Sequence, residues 1–463
     1  MESELPAEGE DFVKETFLSR FRNYPKLLWN KKSIYRVPCS IRDHNQRAYQ
    51  PKVVSIGPYH SGNHQFEAME EHKYRALQHY RSRAYNISVE DLVAHFKNDD
   101  KFMETVMDSY SKLIDPKWWD SDASTLLMLL DGCFLFELLL KSNSDYNCGS
   151  ADSLASQWCY RADDPIFGAR TERSGIVSYV KLDMLLVENQ IPLIILERLS
   201  SIAGLDVNLN GLIWSFYGFQ YKDEILKEAL GLHVLDVYRK GCLFPGEYSY
   251  SGWTASKSAR ELEDHGVRFI QSAADSVSSR NGMLKDIGFK ILTKRNILSK
   301  IASPFMSHHA NFYLPSLTID QTIEPILFNL MAFERLHIAK EWRGMDVTHY
   351  VLLMSSLIRS EEDVRSLRKK SLVSTLPERN DAAVVRLFAD LSRNVMVDDG
   401  RGVGRVNNEV RELCDRKLNT FRASFVHNFA TDLRVQIFML LVAFLIFNSI
   451  VNTVVNLLTY AHY

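Results

Sequence analysis

LLMLLDGCFLFELLL (residues 126–140) and KLDMLLVENQIPLIILERL (residues 181–199) decide the fold class. The first has 12 apolar residues in 15. It is shorter than the ~20 residues that cross a bilayer, and it carries Asp131, Gly132 and Glu137. It therefore reads as a helix buried in a protein core. The second reads the same way, with Asp183, Glu188, Asn189, Gln190 and Pro192 set among its apolar residues. Proline has no N–H, so a kink is expected where the carbonyl of Glu188 loses its donor. The amides of Asn189 and Gln190 are then placed to answer the freed backbone groups.

Helical signals also dominate outside these two runs. EAMEEHKYRALQHYRSR (residues 67–83) mixes charges and apolar residues at helical spacing. EEDVRSLRKKSLV and DAAVVRLFADLSRNV, starting at Glu361 and Asp381, read as amphipathic surface helices. Strand signals are confined to residues 36–40 and 52–56, and IGPYH (residues 56–60) reads as a tight turn closing a strand. Residues 143–175, 244–258 and 398–408 are rich in small and polar residues and read as loops.

The end of the chain differs from the body. VQIFMLLVAFLIF (residues 435–447) is almost wholly apolar and continues as NSIVNTVVNLLTY (residues 448–460) without a charge. That run is long enough to cross a bilayer core of about 30 Å. Asn448, Asn452 and Asn456 recur every four residues and share one helix face, which suits a helix–helix contact within the membrane and a homo-oligomer. Arg411, Arg416, Lys417, Arg422 and Arg434 precede the run, and Ala461, His462 and Tyr463 follow it. Positive charge stays on the cytosolic side, so a cytosolic body on a single-pass anchor is expected, with the bilayer as partner over residues 435–460. The fold class is thus mainly α: a polar segment at 1–33, one large helical body with few short strands at 34–432, and a C-terminal transmembrane helix within 433–463. The membrane is expected to be the plasma membrane or an endomembrane.

The 463 residues carry 55 Lys+Arg against 57 Asp+Glu, a formal −2, so no global field draws nucleic acid. At 46% hydrophobic and 24% charged the chain is neither disordered nor fibrous. Cys39, Cys133, Cys148, Cys159, Cys242 and Cys414 form no C-x-x-C and are too sparse for a disulfide scaffold, which fits reduced thiols in a cytosolic body. The acidic N-terminus has no apolar core of a signal peptide.

Catalytic signatures are weak. Gly400, Gly402 and Gly404 lack the strand and the Lys-Ser/Thr of a phosphate loop, and the adjacent His308 and His309 would point about 100° apart on a helix. No cofactor or metal is implied. His60 has no identifiable catalytic partner. The buried carboxylates Asp131, Glu137, Asp183 and Glu188 carry the remaining chemistry. A pair of them converging on a pocket would suit general acid–base catalysis. A structural polar cluster with Asn189 and Gln190, tying core helices together, explains them without a substrate.

Several long motifs then occur in order: IYRVPCSIRDHNQRAYQPKVVSIGPYH (34–60), MEEHKYRAL (69–77), LMLLDGCFLFELLL (127–140), DMLLVENQIPLIILERL (183–199), HVLDVYR (233–239), SARELEDHGVRF (258–269) and LPSLTIDQTIEPILFNLMAFE (314–334). With the apolar tail, they resemble the plant domain of unknown function 247 family, also called the UPF0481 proteins. Val187 stands where that family more often has Leu. The resemblance implies a mostly helical plant protein with a C-terminal transmembrane helix and no established activity, so it carries over no catalytic residue. Some grass members are linked to self-incompatibility loci, which implies recognition or signalling through a protein partner. The expected function is a membrane-anchored, non-enzymatic interaction protein. The alternatives are an enzyme using the four carboxylates and an oligomeric membrane subunit.

Overall fold

The structure, a computed structural model, describes residues 32–43, 45–111, 122–141, 160–161, 163–168, 175–219, 229–243, 257–272, 287–291, 310–338, 344–375, 380–393, 395, 414 and 433–461. The segment 1–31, the loop at 398–408, most of 143–175 and 244–258, the histidines 308–309 and the glycines 400, 402 and 404 lie outside the described residues. The described residues are mainly helical, with five short strands. They fall into two compact units, Met1–Gly241 with Phe328–Lys340, and Cys242–Leu327 with Glu341–Tyr463.

In the first unit the helices are α1 (Cys39–Arg42), α2 (Glu67–Arg83), α3 (Val89–Lys97), α4 (Asp100–Asp108), α5 (Asp122–Lys141), α6 (Ile176–Asp183), α7 (Leu193–Ile202), α8 (Leu209–Phe216) and α9 (Val234–Leu243). The apolar run of residues 126–140 is α5, buried from Met128 to Leu140 on every side. That burial follows from its composition, since a helix apolar all round has no face to offer water. It packs against α2, α3, α7 and α8. Gly132 lets α7 come close: a Cβ there would stand 2.7 Å from Ile195 Cγ2 and 3.0 Å from Leu199 Cδ1. Polar caps start the neighbouring helices, with Ser88 Oγ accepting the Asp91 amide at 2.9 Å and Asp99 Oδ1 that of Phe102 at 3.2 Å.

Two expectations are corrected here. The run at 181–199 is not one kinked helix. Helix α6 ends at Asp183, residues 184–192 form turns and extended backbone, and α7 starts at Leu193 after Pro192. Proline sits poorly in a helix interior and also pushes its predecessor out of helical backbone, so the break precedes Pro192 instead of bending around it. The strands expected at 36–40 and 52–56 do not form either. Residues 39 and 40 begin α1, and Ile34 makes a lone bridge with Tyr110. Residues 52–56 are strand-like in composition, yet the amides of Lys52, Val53, Val54 and Ile56 bond to side chains instead of to a neighbouring strand.

The second unit holds the strands β1 (Val267–Gln271), β2 (Gly288–Ile291), β3 (Ala310–Leu314), β4 (Leu317–Ile319) and β5 (Val373–Thr375). Strand β3 is central, parallel to β1 and antiparallel to β2, with Phe269 and Phe289 both in register with Phe312. Strands β4 and β5 pair in parallel. The helices are α10 (Ala259–Asp264), the start of α11 (Ile323–Phe333), α12 (Asp346–Leu357), α13 (Glu361–Lys369), α14 (Asp381–Ser392) and α15 (Leu433–Ala461). Helices α10 and α13 both begin in capping boxes, Ser258 with Glu261 and Ser360 with Asp363. The buried Asp363 serves both starts, accepting from Ser258 Oγ at 2.7 Å, the Arg260 amide at 2.8 Å and the Ser360 amide at 2.9 Å. Helix α15 is the apolar tail, and its large side chains, among them Phe438, Phe444 and Leu457, are exposed.

Candidate functional site: a buried polar cluster

Helices α2, α5 and α6, the turns at 184–192 and the segment 52–57 bring the sequence's polar residues into one core region of the first unit. Asp131, Glu137, Asp183, Glu188, Asn189 and Gln190 are all at most 2% exposed. Their partners decide what they can do.

Asp183, at the end of α6, accepts three consecutive backbone amides: Lys52 at 2.9 Å, Val53 at 2.7 Å and Val54 at 2.9 Å. Successive N–H groups of this kind form a ready-made anion cradle. Burial pushes the Asp183 carboxyl up to about 6, while the three amides and Lys52 pull the other way. Asn189 extends the same clamp, accepting the Ile56 amide at 2.7 Å and donating to the carbonyls of Val54 at 3.0 Å and Asp183 at 2.9 Å. Gln190 donates to the carbonyls of Met184 at 2.6 Å and Leu186 at 2.8 Å. Asn329, on α11, accepts the Val187 amide at 2.9 Å and donates to the Ala48 carbonyl at 2.7 Å. The irregular segment 184–192 is buried, and these amides supply partners that a helix or sheet would otherwise provide.

Asp131, midway along α5, accepts the Gly57 amide at 2.7 Å and lies 2.7 Å from Lys73 Nζ. Lys73 also meets Glu70 at 2.7 Å. Burial lowers the lysine pKa, but the Asp131 and Glu70 carboxylates more than offset it, so its pKa stands above the usual value. Burial raises the Asp131 carboxyl against the pull of Lys73. Six residues on, Glu137 takes His79 Nδ1 at 2.8 Å and Arg83 Nε at 3.0 Å. Burial opposes its charge, but these two partners outweigh it and hold its carboxyl below the usual value. The His79 ring stacks on Tyr160 at 4.0 Å, and Tyr160 on Phe167 at 4.3 Å. Glu188 accepts the Val37 amide at 2.6 Å and pairs with Arg42, while His60 Nε2 stands 3.6 Å away. Burial, with Arg36 and Arg42, pushes His60 down to about 4.

Each of the four carboxylates is therefore committed to its own partners, and no two share one. A groove of about 820 Å³ runs along α2 from Glu67 to Ser82 and ends on Tyr160; none of the four lines it. The arrangement locks 37, 52–57 and 184–192 onto α5 and α6. Sequence reasoning missed Lys73. Its signal was position: Met69, Lys73, Ala76 and Tyr80 all lie on the buried stripe of α2, where a lysine needs a buried acid. Asn448, Asn452 and Asn456 lie exposed on α15, with Asn448 Nδ2 donating to the Phe444 carbonyl at 3.0 Å.

Comparison with known proteins places these residues in a family. The model of a family described as plant protein of unknown function, DUF247, matches residues 34–448. A UPF0481 protein of Arabidopsis thaliana is 27% identical, over 96% of this chain and 92% of its own length. A putative UPF0481 protein of the same plant is 23% identical, over 78% of each chain. No solved structure matches. The family match takes in every residue of the buried cluster, from Val37 to Asn329, and the chain belongs to the plant DUF247 family.

Proposed function

We propose that this protein is a membrane-anchored interaction protein, with a helical body held at the cytosolic face of a membrane by α15 and engaged in recognition or signalling. The carrying observation is a contrast between two apolar helices of like hydropathy. Helix α5 has a mean hydropathy of 1.8 and is 83% buried. The window Leu440–Leu458 of α15 has a mean hydropathy of 2.0 and is 0% buried. Left in water, that much apolar surface is strongly unfavourable at about 25 cal/mol per Å². A lipid environment removes the cost, and 19 residues at 1.5 Å rise match a core of about 30 Å. The basic residues Arg411, Arg416, Lys417, Arg422 and Arg434 favour a cytosolic body. A recognition role draws on the groove along α2, where Tyr74 is 60% exposed. The enzyme alternative draws no support from the carboxylates, whose oxygens hold backbone and side chains of the fold.

The test is membrane fractionation with protease protection, using an N-terminal fluorescent tag on the full-length chain and on a truncation ending at Asp432. The expected result is full-length protein in the membrane pellet, resistant to alkaline extraction, a soluble truncation, and a tag open to protease on sealed microsomes. A full-length chain that stays soluble refutes the reading.

A further inference from the structure

We infer that α15 pairs in parallel with α15 of a second copy of this chain through the sector that carries Asn448, Asn452 and Asn456. The inference rests on the membrane reading above. Taking about 100° per residue from Asn448, the polar residues of this stretch fall together: Asn452 at about 40°, Asn456 at about 80°, Ser449 at about 100° and Thr453 at about 140°. Ile450, Val451, Val454 and Leu458 occupy the opposite side, at about 200–300°. All nine of these side chains are exposed.

The chemistry selects the occupant. Thr453 Oγ1 donates to the Ser449 carbonyl at 2.8 Å and is answered within its own helix. Asparagine is different. Its carboxamide carries two donor hydrogens and an acceptor oxygen. Asn448 places one donor on the Phe444 carbonyl. The interior N–H groups of a helix are already spent on the helix, so the carboxamide oxygens of Asn448 and Asn452 need a donor from elsewhere. Lipid tails offer none. A second carboxamide supplies both the donor and the acceptor, so the sector is complementary to itself. Two copies inserted with the same orientation run parallel, which sets Asn448, Asn452 and Asn456 opposite the same residues of the partner helix. Apolar helices alone gain little from pairing in lipid, where such amides and close packing supply the attraction.

The experiment co-expresses full-length chains with two different epitope tags, then captures one tag from detergent-solubilised membranes and measures the other. The wild-type chain is expected to co-capture its copy. The triple variant Asn448→Leu, Asn452→Leu, Asn456→Leu is expected to stay in the membrane pellet and to lose co-capture at least tenfold. The triple Asn→Gln variant, which keeps the carboxamides, is expected to retain most of it. The control Ile450→Ala, Val454→Ala is expected to leave co-capture unchanged. Co-capture that persists in the Leu variant overturns the inference, as does a wild-type chain that is membrane-bound and does not self-associate. A soluble full-length chain overturns the membrane reading instead, and the fractionation shows which has failed.

Discussion

Replacing Gly57 by alanine tests whether the buried cluster holds the fold as its geometry implies. Gly57 and Gly62 lie five residues apart in one turn region, and both have left-handed backbone, with φ of +73° and +77°. At Gly62 a Cβ would meet nothing within 4 Å. Alanine there costs about 1–2 kcal/mol of backbone strain, partly offset by about 0.4–1 kcal/mol from a less free unfolded chain. Gly62→Ala should therefore lose about 0–1.6 kcal/mol. At Gly57 the same terms apply, but a Cβ would fall nearer than 3.0 Å to the Gln190 carbonyl oxygen. Reaching ordinary contact at 3.4 Å requires a retreat of at least 0.4 Å (3.4 − 3.0). That retreat pulls on the Gly57 amide bond to Asp131 at 2.7 Å and the Tyr110 hydroxyl bond to Gln190 at 3.0 Å. Leaving buried groups unsatisfied costs about 1–3 kcal/mol each. Gly57→Ala should thus lose about 2–6 kcal/mol more than Gly62→Ala. Pulse proteolysis across a urea series, on the full-length chain in detergent micelles, measures the difference. Gly57→Asn should fare as badly, because asparagine tolerates the left-handed backbone but not the contact. Equal midpoints for Gly57→Ala and Gly62→Ala, within about 0.5 kcal/mol, would refute the reasoning.

Lys73→Met leaves the Asp131 carboxyl buried without its cation and should cost about 3–5 kcal/mol; adding Asp131→Asn, whose carbonyl still accepts the Gly57 amide, should recover most of it, and additive losses in the double-mutant cycle would show that the pair is not coupled. Acid should destabilise the first unit between pH 6.5 and 4. Burial pushes His233 down to about 4; its Nε2 lies 3.1 Å from the Ser33 carbonyl and its Nδ1 accepts the Asp236 amide at 3.3 Å, so the neutral ring is the one that fits. A base with a depressed folded pKa stabilises above 6.5 and loses that contribution as pH falls towards 4, about 3 kcal/mol for His233. His60 acts in the same direction. Asp183 acts in the opposite one, since a carboxyl raised to about 6 stabilises below 3.8 and loses that contribution as pH rises through 6. Asp131, also raised by burial, acts with Asp183, and His72, lowered by burial, acts with the other two histidines. Three lowered histidines against two raised carboxyls leave a net loss on acidification; His233→Gln should flatten the slope of urea stability against pH, and an unchanged slope would count against the assignment.

Local pattern alone was enough for the long helices. Residues 67–83 became α2 with the same bounds, because helical spacing and surface charge are properties of one segment. The same holds for the core helix α5, whose apolar residues leave no alternative to burial. What failed was whatever depends on distant partners. Strands β1 and β3 pair across more than forty residues of sequence, and neither segment announces its neighbour. Residues 52–56 had strand composition, but the Asp183 carboxylate, some 130 positions away, claims three of their neighbouring amides.

The cluster divides in the same way. Its acids and amides stood out in the sequence, because polar residues inside apolar runs must find partners when buried. Which partners they find is a tertiary fact. Lys73 looks like any surface lysine until α2 is laid against α5, and the run from Lys181 to Leu199 looks like one helix until Pro192 and the carboxamides of Asn189, Gln190 and Asn329 stabilise a buried turn. Hydrophobic patterning is read within a segment of chain, so the sequence alone determined where the helices lie. Hydrogen bonds between segments exist only once the chain has folded, so the tertiary structure decided where helices stop and what the buried charges hold.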